Sequence, residues 1–267
     1  MSGVAIAPGF PRLAGAVGVA RGARGGARVA RAAAVSLSAL GEARIARGRT
    51  RAERARALAA AARELCAIHA ITVDVVGILP ERPCVLVANH LSYLDPLVIL
   101  SQVPAAPIAK AEVAGWPVVG PAAAALGVSF VDRASIPARA RVLRRALAVL
   151  RDGVSVLNFA EGTTTDGTRL LPFHRGSFGL AALAGVPVVP LALSYDEPAL
   201  AWTGNATFLP HYWMMSTRRA ARARLVVRAP MWPRPAEPPE DFAARVRTAI
   251  ALAGDVRTAH AARPELP

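Results

Sequence analysis

Lysine is almost missing from this chain: Lys110 stands alone, and arginine supplies the rest of the 32 basic residues. Because such a bias follows from coding composition, the number of arginines says little about function, while a lone surviving lysine is a candidate for a specific role. Acids are also few, 18 in all, which leaves a net charge of +14. Aromatic residues make up only 5% of the chain. None interleaves with the arginine-rich N-terminal stretch, as stacking on nucleic-acid bases would require. Two cysteines, Cys66 and Cys84, fall in different expected elements and give neither a disulfide framework nor metal spacing, so a reduced, cytoplasmic setting is the default. No metal site is expected. The apolar stretch from Leu13 to Ala20 runs into Arg21, Arg24 and Arg28, which argues against a secretory leader. No uncharged run meets the criterion for a spanning helix. A Gly-x-Ser-x-Gly elbow and a phosphate loop ending in Lys-Ser/Thr are both lacking, and Gly176-Ser177-Phe178-Gly179 has the wrong spacing for the former.

What is present is apolar: 54% of 267 residues, enough for one domain with a full core. Positive mean hydropathy (+0.36) in so basic a chain suits a protein lying against an anionic membrane, where each basic residue contributes about 1 kcal/mol. Residues 1–50 read as an Ala/Gly/Arg-rich leader. Its run Arg21-Gly22-Ala23-Arg24-Gly25-Gly26-Ala27-Arg28 allows a nucleic-acid tail or a flexible basic segment. The mixing of apolar residues with Arg31, Arg44 and Arg47 favours a basic helix in the lipid interface. Residues 51–230 form the expected catalytic domain. A helix over 50–70 precedes strands at 71–77 and 84–89, a strand ending at Lys110, a helix after Gly120-Pro121, a strand to Arg133, a basic helix from Pro137 to Leu150 and a strand from Val154 to Phe159. Residues 231–267 read as a Pro-rich, then helical tail. Strands alternating with helices imply an α/β fold with a mostly parallel or mixed sheet covered on both faces.

The domain is organised around Asn89-His90-Leu91-Ser92-Tyr93-Leu94-Asp95-Pro96, where the apolar strand Cys84–Ala88 becomes a helix. A histidine there can deprotonate a hydroxyl, since its unperturbed pKa of about 6.5 suits a base at neutral pH. A carboxylate on Nδ1 would fix the tautomer and stabilise the imidazolium. Ser92 and Asp95 are both available as helix caps, Asn89 holds the turn, and Tyr93 packs. His69 and Asp74 have the same separation, but Asp74 falls on an alternating strand pattern and points away, so that pair reads as coincidence.

Three further blocks follow in order: Gly127-Val128-Ser129-Phe130-Val131-Asp132-Arg133, Phe159-Ala160-Glu161-Gly162-Thr163 and Val186-Pro187-Val188-Val189-Pro190. With His90-x4-Asp95 they resemble the four blocks of the glycerolipid acyltransferase family, which includes lysophosphatidic acid acyltransferases. The resemblance covers roughly residues 70–230, and the ordered set is highly specific. It implies a membrane-associated O-acyltransferase on the cytoplasmic face of the inner membrane, peripheral or monotopic. It would move an acyl group from acyl-CoA or acyl carrier protein to a lysolipid hydroxyl, with no resident cofactor and no covalent intermediate. By the same resemblance His90 and Asp95 are the base and its partner, Arg133 and Lys110 line the acceptor cleft, Glu161 helps hold the acceptor, and Gly162 and Thr163 shape the turn. The first acceptor implied is 1-acylglycerol-3-phosphate, giving phosphatidic acid. Where the family carries an arginine after Glu-Gly-Thr this chain has Thr164, losing a bidentate phosphate contact. Together with Leu171-Pro172-Phe173, that change resembles bacterial relatives acting on lyso-ornithine lipids.

Outside these blocks, Trp202, Phe208, Tyr212, Trp213, Met214 and Met215 cluster in an aromatic-poor chain, readable as core or as acyl-chain contact. His174, His211 and His260 have no partner at a telling spacing. A competing reading of another class is a non-catalytic basic protein that binds membrane or nucleic acid, whose binding would be salt-dependent and indifferent to His90.

Overall fold

The computed structural model describes residues 11–45, 48–204, 206–254 and 257–258; Arg47, His260 and the outermost ends of the expected leader and tail lie outside them. The elements run α1 (Pro11–Ile45), α2 (Arg51–Ile68), β1 (Ile71–Val76), β2 (Val85–Ala88), α3 (Asp95–Gln102), β3 (Ala105–Lys110), α4 (Val119–Ala125), β4 (Ser129–Val131), α5 (Ile136–Arg151) and β5 (Ser155–Asn158). Then follow β6 (Arg169–Leu170), α6 (Gly176–Ala184), β7 (Val188–Tyr195), α7 (Phe208–Thr217), β8 (Ala221–Val227), α8 (Pro239–Gly254) and β9 (Arg257–Thr258). Seven strands form one sheet in the order β1-β8-β7-β2-β5-β3-β4, with β6 and β9 as a small separate pair. β7, β2, β5, β3 and β4 run parallel, whereas β8 is antiparallel to β7 and β1 follows β8, so the sheet is mixed.

The continuous apolar run of β2 has its explanation in the two layers that cover it. Leu86 and Ala88 point into a cluster with Leu58, Ala62 and Cys66 of α2 and Val98 and Ile99 of α3. Val85 and Val87 point the other way, onto Val149 of α5, Phe178 of α6 and Phe242, Val246 and Ile250 of α8. With both faces buried, a strand cannot alternate apolar with polar. The helix expected as a tail after Pro230 is therefore part of the core: Phe242 meets Phe178 edge-on at 5.6 Å, and burying it contributes about 3 kcal/mol. Strand β8 has no counterpart in the sequence reading, because Ala221, Ala223, Arg222 and Arg224 are weak strand formers. The sheet supplies the pairing that propensity lacks, and the alternation places the alanines inward and the arginines outward.

Helix α2 begins at a capping box: Thr50 Oγ1 accepts from Glu53 N–H at 3.2 Å, and Glu53 Oε2 accepts from Thr50 N–H at 2.7 Å. The run 21–28 lies on helix α1, among the described residues. Arg24 and Arg28 donate to the Thr217 and Ser216 carbonyls at 3.2 and 3.3 Å, satisfying acceptors left open at the end of α7. A Cβ on Gly25 would come within 2.9 Å of Thr217 Cγ2, so glycine permits the close crossing of α1 over α7.

His69 and Asp74 do not meet. Asp74 is exposed on β1, while His69 is buried with Nε2 3.1 Å from Tyr212 Oη and Nδ1 without a partner. Burial, and secondarily the charge of Arg28, lower the His69 pKa to about 4. A base depressed below its unfolded value stabilises fully above that value, and the contribution is lost as pH falls from about 6.5 towards 4. Going from pH 7 to pH 5 should thus cost about 2 kcal/mol from this group. His69→Phe should flatten that part of the slope in urea or thermal midpoints; equal slopes in the two proteins would show that the ring is charged in the fold.

Candidate active site

The site begins where β2 leaves the sheet. Asn89 acts as a side-chain strand partner: its Nδ2 donates to the Leu193 carbonyl at 2.8 Å and its Oδ1 accepts from Leu193 N–H at 2.7 Å, tying the end of β2 to β7. The chain then folds through residues 90–94 so that Asp95, the first residue of α3, returns onto the imidazole. Asp95 Oδ2 accepts from His90 Nδ1 at 2.7 Å, Leu91 N–H at 2.6 Å and Ser92 N–H at 2.9 Å. The Asp95 side chain is fully buried, and that of His90 is 18% exposed. Asp95 therefore caps the turn ahead of the helix; Ser92, offered by the sequence as a cap, keeps a buried hydroxyl without a partner. The imidazole stacks on Phe159 at 4.1 Å and 19°. With Nδ1 engaged, Nε2 is the nitrogen left to take a proton.

The loop after β5 locks this geometry. Glu161 Oε1 accepts from His90 N–H at 2.8 Å and Oε2 from Leu171 N–H at 3.0 Å, and the carboxyl is buried. Burial pushes its pKa up, opposed by those two hydrogen bonds and by His90. Each of its oxygens accepts from a backbone N–H, so Glu161 braces the position of His90. Thr163 is exposed, and it is Thr165 whose N–H reaches the His90 carbonyl at 2.8 Å. Asp166 forms a surface turn with Thr168, as its Asp-Gly sequence suggests.

Gly162 has φ +78°, and a Cβ there would sit 2.9 Å from His174 Nε2 and 3.7 Å from Arg133 Nη1. Two cationic or cationisable side chains thus converge on a glycine next to His90. The Arg133 guanidinium is half-buried, and burial lowers its pKa, offset in part by Glu112. A partly desolvated guanidinium beside a second ionisable ring suits an anion. Lys110 is 58% exposed and pairs with Glu112 at 3.0 Å. Sequence reasoning passed over His174, which has no partner at a telling spacing, and Tyr195, whose hydroxyl lies 2.7 Å from Asp95 Oδ1. Only its place just after the Val-Pro-x-x-Pro strand pointed to the latter. The aromatic cluster borders the same turn: Trp202 N–H donates to Leu91 O at 2.7 Å, Tyr93 Oη is 3.0 Å from His211 Nδ1, and Phe208 stacks on Tyr212. Among the described residues no group of three or more His, Cys, Asp and Glu side chains is placed to hold a metal.

His90, Glu161 and Tyr195 come from the ends of β2, β5 and β7, neighbours in the sheet whose chain connections leave in opposite directions, where α/β proteins place ligands. A buried carboxylate holding an imidazole at Nδ1, on an α/β fold, is an arrangement able to activate a hydroxyl through Nε2. Residues 70–194 match the family model Acyltransferase. The chain is 39% identical over 131 residues to the lyso-ornithine lipid O-acyltransferase of Pseudomonas aeruginosa, covering 49% of this chain and 50% of that one. It is 34% identical over 144 residues to the 1-acyl-sn-glycerol-3-phosphate acyltransferase of Neisseria gonorrhoeae, covering 53% and 55%. The crystal structure of the 1-acyl-sn-glycerophosphate (LPA) acyltransferase PlsC from Thermotoga maritima shares the fold, with TM-score 0.57 and 23% identity over 84% of this chain and 94% of that one. The chain spans only 50% to 63% of the first three lyso-ornithine lipid enzymes it matches.

Proposed function

We propose that this protein is a lysolipid O-acyltransferase. The His90–Asp95 pair carries the reading. A lysolipid hydroxyl approaches His90 Nε2, which takes its proton as the oxygen attacks the carbonyl of an acyl thioester. Asp95 balances the imidazolium, the tetrahedral intermediate collapses, the C–S bond breaks, and the proton passes to the departing thiolate. An ester and a free thiol result. The thioester brings the acyl group already activated, so the step balances without a metal, a resident cofactor or a covalent enzyme intermediate. Acyl-CoA and acyl carrier protein are both suitable donors.

Arg133 with His174 at Gly162 supports an anionic acceptor headgroup, for which lysophosphatidic acid is the first candidate. A second reading, lyso-ornithine lipid, is favoured by Thr164 and by the lyso-ornithine lipid enzymes among the relatives. Membrane contact is proposed through α1 and α7, which expose Val19, Leu37, Leu209 and Trp213; no helix of the described residues is long and apolar enough to cross a membrane. Lipid precursors and acyl thioesters made inside the cell would place the enzyme on the cytoplasmic face.

The test is acyl transfer by the full chain in detergent micelles, from an acyl-CoA and from an acylated carrier protein, to each lysolipid. Transfer to either acceptor is expected, and the preferred one identifies the headgroup; transfer to neither, with both donors, overturns the proposal. Arg133→Gln should raise the acceptor KM about 10- to 100-fold with kcat little changed, because a charge-assisted contact contributes about 1.5–3 kcal/mol. An unchanged KM would remove Arg133 from the headgroup site.

A further inference from the structure

We propose that Tyr195 is a positioning residue that sets how strongly Asp95 holds the protonated His90 during acyl transfer. The inference rests on the acyl-transfer reading above and goes beyond it by adding a third member to the pair. Three donors already converge on Asp95 Oδ2, and the whole side chain is buried. The other oxygen, Oδ1, has the Tyr195 hydroxyl at 2.7 Å. A carboxylate only accepts, so the phenol must donate. Without it, one oxygen of a fully buried carboxylate would lack a partner.

The sheet places this hydroxyl. Tyr195 closes β7, which continues four residues beyond Leu191, the partner of the last residue of β2. Asn89 clamps β7 at Leu193, and Tyr195, two residues on, lies on the same face of the strand. Its ring packs on the core cluster of that face. The other ionisable groups facing this arrangement are Glu161 from the loop after β5, Tyr93 from the turn and Cys66 from α2. Burial, followed by the charge of Asp95, raises the Tyr195 pKa well above its ordinary value, which keeps its proton in place.

The hydrogen bond draws charge from the carboxylate and so weakens its pull on the imidazolium. Tyr195→Phe keeps the ring and removes the donor. In the full-length protein in detergent, a nitrogen-15 NMR titration of the histidines, with His90→Ala used for assignment, should show the His90 midpoint rising by about half a pH unit in the variant. The acid limb of kcat/KM should move with it, leaving activity about threefold lower below the limb and within about twofold above it. In the Asp95→Asn background the same change should alter kcat/KM by less than about twofold, since there is no carboxylate left to tune. An unmoved His90 midpoint, or a full additive loss in that background, overturns the proposal. If the titration shifts while the unaltered enzyme transfers to neither lysolipid, the coupling stands and the acyl-transfer reading falls.

Discussion

His90→Ala should lower kcat/KM for acyl transfer by about 10³-fold or more while leaving the fold intact. General-base catalysis by a positioned side chain is worth about 10²- to 10⁴-fold, and the groups that touch His90 and Asp95 do not replace it: Glu161 is tied to two backbone N–H groups, and Tyr195 is held protonated by burial. The stability cost should be only about 1 kcal/mol. The imidazole lies at the surface edge of the site, and after its removal Asp95 still receives the Leu91 and Ser92 N–H groups and the Tyr195 hydroxyl. The vacated space is bounded by Phe159 on one side and Asp95 on another, so added imidazole should restore part of the activity. Steady-state kinetics with a thermal midpoint as control checks both parts. Substantial activity in the variant, with its midpoint unchanged, would sink the mechanism.

Asp95→Asn is expected to reduce kcat about 10²- to 10³-fold, through charge more than through geometry. The two backbone N–H groups on Oδ2 dictate that the amide oxygen of asparagine take that place, since its NH₂ would meet two donors. His90 then keeps its Nδ1–H tautomer, and the Tyr195 hydroxyl can turn to accept from the amide. What is lost is the negative charge that balances the imidazolium. The acid limb of the pH–rate profile should accordingly move to lower pH, opposite in sign to the shift expected for Tyr195→Phe. A loss below about tenfold would mean that the carboxylate charge contributes little, and that His90 depends on orientation alone.

Much of this site was legible in the chain because its parts are local. His90 and Asp95 lie five residues apart across a strand-to-helix turn, so a short loop is enough to bring them together. The pair at the same spacing, His69 and Asp74, could be set aside for an equally local reason, the side-chain alternation of β1. The arginine–glycine run was less legible: its composition allows a free basic segment, and only the packing of α1 across α7 gives Arg24, Gly25 and Arg28 their partners. The helix after Pro230 was readable as a helix but not as core. Its partners Phe178 and Val85 lie far away in the chain, and amphipathic periodicity does not say which surface a helix covers.

The sequence by itself determined the α/β class, the two-sided burial of β2, the meeting of His90 with Asp95, and the order of blocks that resembles the acyltransferase family. These follow from side-chain period, turn chemistry and spacing, all properties of neighbouring residues. The tertiary structure alone decided the rest. It made Glu161 a brace for His90, paired Lys110 with Glu112, and brought His174 and Arg133 together at Gly162. It also put the Tyr195 hydroxyl on Asp95, 100 residues away in the chain. The reason is physical: a buried carboxylate must find donors wherever the fold provides them, and the sheet order that brings β7 beside β2 is not written in either strand.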